Sequence, residues 1–336
     1  MTRRRSAILA IALSLGLVLG ACGDDSSPSA TDDAADTETD ASGFTVQVSQ
    51  SGIEMPGEVT GGVVHVKLES DIEGAEANFS KVKPGTTEDQ FKQAIVGVVS
   101  GGPFPDFLEA TTGVLGEGGG GGGESTLVLP EGDYIAWSIP EPPDEGEGDE
   151  EGGTATTAAA AGETARGQAE EEPEGEGGGG PPPEAVLTKS FKAKAGEPGD
   201  LPGTDGNEIV AREYSFDVKV KDGAKEFTFR NEGPDQFHHV VLFDFGDLAP
   251  AVVEENLPAF FEGGEDAPPP PAFKDVKFDE LEAGDGPVLS PGLAAVVPAA
   301  GFESGTTYAA VCFISDRTGG PPHAISKGMR TVFTVE

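Results

Sequence analysis

The chain has 336 residues, with 60 Asp and Glu against 21 Lys and Arg, a formal net charge of −39, and 50 Gly and 27 Pro. Acidity on this scale argues against nucleic acid as a partner, which needs a basic footprint, and disfavours charge-driven docking on an anionic membrane surface. The length accommodates two domains once the low-complexity stretches are set aside.

Taken in chain order, Arg3-Arg4-Arg5 is a positive n-region and Ala7 to Leu19 a short apolar run. That run falls short of the roughly 20 residues a spanning helix needs, so residues 1–21 read as a signal peptide. Leu19-Gly20-Ala21-Cys22 resembles the bacterial lipobox, which implies cleavage before Cys22 and acylation of its thiol. Several acyl chains on one residue give stable anchoring. The expectation is therefore a lipoprotein held to the cell membrane through Cys22 and facing the extracytoplasmic side. Residues 22–43, rich in Asp, Ser, Thr and Ala, read as a disordered tether.

Alternation from Phe44 to Ser49 and from Val64 to Leu68 predicts two half-buried strands, with His65 on the solvent side. Thr87 and Gln90 fit a capping box, and Phe91, Ile95 and Val98 or Val99 then share one helical face. The Gly run 118–123 reads as a flexible loop, and Thr126–Leu129 and Tyr134–Trp137 as strands. Residues 141–180 consist mainly of Glu, Gly, Ala and Thr and carry no large apolar side chain, so they cannot offset their ordering entropy and read as disordered.

Strands are predicted again at Tyr214–Val220, Phe227–Phe229, Phe237–Phe245, within Phe278–Val288, at Leu293–Val297, from Tyr308 to Cys312 and at Arg330–Val335, with a short helix over Val252–Phe261. Gly74–Val82 can be laid on Gly233–Val241, the helix at 87–99 on 248–261, Gly132–Trp137 on Gly305–Cys312, and Pro182-Pro183-Glu184 on Pro321-Pro322-His323. This internal repeat makes 141–180 an insertion inside a first domain, 44–195, and makes 196–206 the linker to a second, 207–336. The fold class is all-β: two Greek-key β-sandwiches, each with a short helix, plus disordered acidic and Gly-rich segments.

The second repeat carries a soft-ligand pattern. Cys312 lies at a strand end, His323 beyond a Gly/Pro loop, and Met329 just before the last strand; His238-His239 heads a distant strand. Three of the four His, one of the two Cys and one of the three Met fall in these places. Thiolate, thioether and two imidazoles are the donor set of a blue-copper site. With Cys22 lipidated, Cys312 lacks a disulfide partner and is either a core thiol or a metal ligand. In the first repeat the ligand positions hold Ala77 or Asn78, Trp137 or Ser138, and Glu184, with no Met.

On Asn231-Glu-Gly, His238, Tyr308 to Cys312, His323 and Gly328-Met329, residues 207–336 resemble the cupredoxin family, which includes plastocyanin and azurin. They are also similar to cupredoxin-like modules of bacterial lipoproteins. The resemblance implies copper held by His238, Cys312, His323 and Met329, with His239 the alternative to His238, and electron transfer with a redox partner protein. Ten residues separate Cys312 from His323, more than electron-transfer cupredoxins use, and Asp316 and Arg317 put polar groups beside a site whose potential depends on apolar surroundings. The competing reading is a metal-free β-sandwich serving as a binding or structural module. Without extra His pairs, a Ser-His-Asp set or a phosphate-cradling Gly loop, the expectation is that the chain is no enzyme.

Overall fold

The structure is a computed structural model, and it describes residues 42–72, 75–115, 122–140, 181–197, 199–263, 268–274, 276 and 281–336. The expected signal peptide, Cys22, nearly all of the tether and the acidic insertion 141–180 lie outside the described residues.

Seventeen strands form among the described residues. The first group is β1 (Ser42–Ser49), β2 (Gly52–Glu54), β3 (Glu58–Thr60), β4 (Gly62–Ser70), β5 (Glu76–Val82), β6 (Leu108–Leu115), β7 (Gly122–Leu129), β8 (Gly132–Ser138) and β9 (Leu187–Lys194), with helix α1 (Glu88–Val99) between β5 and β6. The second group is β10 (Glu208–Ala211), β11 (Phe216–Lys219), β12 (Glu226–Asn231), β13 (His238–Asp244), β14 (Glu282–Leu289), β15 (Ala294–Pro298), β16 (Thr307–Val311) and β17 (Arg330–Thr334). Here α2 (Pro250–Gly263) separates β13 from β14, and a single turn, α3 (His323–Ser326), precedes β17. Gly122 and Gly123, expected in a loop, are part of β7.

The strand order shows a repeat. One sheet of each half runs β6-β5-β8-β9 and β14-β13-β16-β17, with β3 added at the edge of the first. The other runs β2-β1-β4-β7 and β11-β10-β12-β15, with β1 parallel to β4 and β10 parallel to β12. These two four-strand sets join into one eight-stranded sheet through the pair Leu127 and Ala295. The fold is the all-β, double Greek-key sandwich with a short helix in each half. All the described residues fall in one compact unit.

Burial follows the strand period. Val46 and Val48 in β1 and Val64, Val66 and Leu68 in β4 point inward, while Gln47 and Lys67 between them face out. Fully buried Phe79, Leu127, Phe227, Phe229 and Tyr308 belong to one core that runs through both halves, and each such side chain contributes on the order of 1.5–3 kcal/mol. α1 starts with both arms of the capping box made, Gln90 N–H donating to Thr87 Oγ1 at 3.2 Å and Thr87 N–H to Gln90 Oε1 at 3.1 Å, and it buries Phe91 and Ile95.

The strand pairings set a register between the two halves that differs from the one expected from the sequence. Tyr134 pairs with Lys81 in the first half as Tyr308 pairs with Asp244 in the second. Counting back from these pairs puts Ala75 at the place of His238, Ser138 at that of Cys312 and Leu187 at that of Met329. The expected Ala77 or Asn78 is thus off by two or three residues. None of the three substitutes is a soft donor.

Candidate metal centre

His238 opens β13, and its loop is prepared by Asn231 at the end of β12. The buried Asn231 amide donates to the carbonyls of Gln236 at 2.8 Å and Leu289 at 2.7 Å and accepts from Gly233 N–H at 2.9 Å. The β13–β14 ladder shifts register between His238 and Val240, a bulge that re-aims side chains. His238 consequently turns into the core, whereas His239, the alternative ligand, sets its Nε2 2.7 Å from Asp285.

Cys312 follows the last residue of β16, and His323 opens α3. The ten-residue separation does not hold them apart, because the loop folds back on itself. His323 N–H donates to Ile314 O at 2.8 Å, Ser315 bridges Pro322, and Gly319 N–H closes a turn on Asp316 O at 2.7 Å. Met329 is tied to both neighbours by its backbone, accepting from Cys312 N–H at 3.2 Å and donating to His323 O at 3.0 Å. His238, Cys312, His323 and Met329 all have zero exposure.

Within this closed space Cys312 Sγ lies 3.9 Å from His238 Nδ1 and 3.6 Å from His323 Nδ1, and the three donor atoms fall within 4.8 Å of one another. Metal–sulfur and metal–nitrogen bonds of about 2.3 and 2.0–2.1 Å set 120° apart span about 3.8 Å, so the spacing fits one trigonal ion. The protonation chemistry fits as well. Burial, reinforced by the neighbouring His323, brings the His238 imidazole down to about 4. His323 is also lowered, chiefly by burial, with Asp316 pulling the other way. Both rings are then neutral near pH 7 and keep lone pairs for a ligand. Burial pushes the Cys312 thiol up to about 11 against the pull of the His239 and Ile314 backbones, so loading a metal must expel the thiol proton.

The outer side of His323 is also occupied. Its Nε2 lies 3.1 Å from Asp316 Oδ1, which accepts from Tyr214 Oη at 3.0 Å; Asp316 Oδ2 lies 3.0 Å from Lys327 Nζ. Burial works against the Asp316 charge, yet the bonds and charges of Lys327, Tyr214 and His323 hold its carboxyl below the usual range. Tyr214 also meets the His323 ring edge to face at 5.2 Å. His238 Nε2 faces the backbone of Arg212 and Glu213 without closing a hydrogen bond of regular geometry.

The first half covers this loop. Phe104 N–H donates to Arg317 O at 2.9 Å, Gly320 N–H to Gly101 O at 2.9 Å, and the Phe104 ring stands T-shaped on Phe237 at 4.8 Å. Arg317 places its guanidinium 4.3 Å from the centre of the Phe237 ring. Sequence reasoning did not find Gly101, Phe104, Tyr214 or Lys327 as parts of the site; Asp316 and Arg317 stood out only as polar residues in the loop.

The chain matches no protein-family model and no curated protein. Its structure is similar to a reduced auracyanin from Roseiflexus castenholzii, at 23% identity over 38% of this chain and 94% of that one, with a TM-score of 0.23. It is also similar to a Cu-containing nitrite reductase from Thermus scotoductus, at 12% identity over 88% of this chain and 62% of the other, TM-score 0.18. A multicopper oxidase matches at 10% identity over 88% of both chains, TM-score 0.20. Two of these are enzymes by their own description, so the expectation that the chain is no enzyme is withdrawn. At such scores they lend this chain no activity, and its function has to be argued from its own residues. What those residues define is a candidate copper-binding module.

Proposed function

We propose that the protein is a membrane-anchored, extracytoplasmic copper protein that transfers electrons, with two tandem cupredoxin-like domains at 44–195 and 207–336. The observation that carries this is the convergence of two Nδ1 atoms and one Sγ at trigonal spacing among fully buried residues. His238 and His323 would be the imidazole ligands, Cys312 the thiolate and Met329 the thioether. Copper, when bound, would supply a one-electron couple. The chain's contribution is to hold the donors before the metal arrives, to exclude water and to accept the anionic thiolate between the His239 and Ile314 backbones. Small rearrangement between oxidation states is what electron transfer asks of a site, and four fully buried ligands, three at strand ends and His323 at the start of α3, supply that rigidity. Anchoring is supported by the n-region, the apolar run and the Cys22 motif.

A copper titration of the whole mature chain tests the reading. One equivalent bound with an intense thiolate-to-copper absorption, lost in Cys312→Ser and retained in His239→Gln, is the expected result. Copper bound without that band would end the blue-copper assignment, and no binding would end the copper reading altogether. In that last case the metal-free sandwich becomes the better account. It too has an observation in its favour, since Cys312 and Met329 belong to the same apolar core as Phe229 and Leu289. For the anchor, Cys22→Ala should move the protein from the membrane to the soluble fraction and abolish labelling by a fatty-acid probe.

A further inference from the structure

The contacts on the far side of His323 assign a role to a residue that is no ligand. Asp316 sits in the loop between Cys312 and His323, its side chain 22% exposed, and its Oδ1 reaches His323 Nε2. A carboxylate only accepts hydrogen bonds, so the proton of a neutral His323 must reside on Nε2, which leaves the lone pair on Nδ1 facing Cys312. The same contact makes the ring a stronger donor, as carboxylates behind metal-bound histidines do. Tyr214 Oη and Lys327 Nζ then fix the carboxylate from two further directions. The turn that carries Asp316 is itself pinned, through Arg317 and Gly320, to the loop after α1. No other carboxylate is within hydrogen-bond reach of His323 among the contacts of the described residues.

We propose that Asp316 is a positioning residue that fixes the His323 tautomer and biases the site toward oxidised copper, with Lys327 offsetting its charge. The proposal rests on the copper reading above. An anionic acceptor behind the imidazole favours the more highly charged ion, and a cation on the same carboxylate weakens that preference. Removing either partner must therefore move the reduction potential in opposite directions. A loop that merely lost rigidity would move it one way in both variants.

The test uses the whole mature chain as wild type, Asp316→Asn and Lys327→Gln, each loaded with copper. Asp316→Asn should keep one equivalent of copper and the thiolate band, raise the reduction potential and weaken copper(II) binding by about 10–100-fold. Lys327→Gln should lower the potential. In the metal-free protein, nitrogen-15 imidazole shifts should place the His323 proton on Nε2 in wild type and show mixed tautomers in Asp316→Asn. Unchanged potential and affinity in Asp316→Asn, or shifts of the same sign in both variants, would overturn the role of Asp316 while leaving the copper site standing. A wild-type chain that takes up no copper would remove the site itself and the tuning role with it.

Discussion

His238 illustrates how one side chain couples site and stability. In the unfolded chain its imidazole titrates near 6.5, whereas burial beside His323 lowers it to about 4 in the folded protein. A depressed folded value means the stabilisation is complete above about pH 6.5 and is lost as pH falls through about 4, since the buried ring must be protonated or exposed. The shift corresponds to roughly 3 kcal/mol at full extent. The metal-free protein should lose about that much stability between pH 6.5 and 4 in denaturant titrations, and His238→Gln should flatten the slope. A slope unchanged by that substitution would show that other groups drive the loss. Copper on Nδ1 should shift the loss to lower pH, because a proton must then displace the metal.

At the scale of elements, the metal loop works because its turn is tight and seated. Gly319 has φ +83°, and a Cβ there would stand 2.9 Å from Gly102 C and Pro103 N and 3.0 Å from Gly101 O. Those are backbone atoms of the opposing half, which cannot swing aside. Gly223 has a similar φ of +75° but open space around it. Gly223→Ala should cost only the left-handed penalty of about 1–2 kcal/mol. Gly319→Ala should cost that and a further 1 kcal/mol or so for the clash, read as a larger drop in denaturation midpoint. Equal costs would mean that the loop is not held by the first half.

The same loop marks where sequence reading stops. Cys312, His323 and Met329 were recognisable as a donor series because the chain is poor in soft residues and these three follow one another near its C-terminal strand. Alternating stretches such as Val64–Leu68 and Thr126–Leu129 announced their strands, and Thr87 and Gln90 announced the start of α1. β5, β6 and β10 were not read directly: Asn, Ser and Lys interrupt the apolar period in β5, Thr and Gly in β6, and β10 is only four residues long. His238 against His239 could not be settled by alternation because a bulge sits between His238 and Val240. The Asp316 contact depends on a fold-back joining Ile314 to His323, which no local pattern encodes.

For the whole molecule, the joins between the halves govern how it unfolds and what it tolerates. The halves share a sheet at Leu127 and Ala295, exchange bonds between Thr111 and Ser290, and tie Ser125 Oγ to Val296 O at 2.8 Å. One core spans both, so a single cooperative transition is expected, with calorimetric and van't Hoff enthalpies equal. The acidic insertion should not contribute to that transition. Ser138 and Leu187 are paired across the β8–β9 ladder, so the 48 residues between them begin and end at adjacent points. Deleting 141–180 leaves eight residues to close the gap, and the shorter loop lowers closure entropy by about 1–2 kcal/mol. It also removes thirteen acidic residues against the one base, Arg166, from a chain already far from neutrality. The deletion variant should therefore melt in one transition at an equal or higher temperature, and its midpoint should depend less on salt. A lower midpoint or a split transition would show that the segment makes contacts the fold relies on, and 141–180 would then have to be counted as part of the first half's structure.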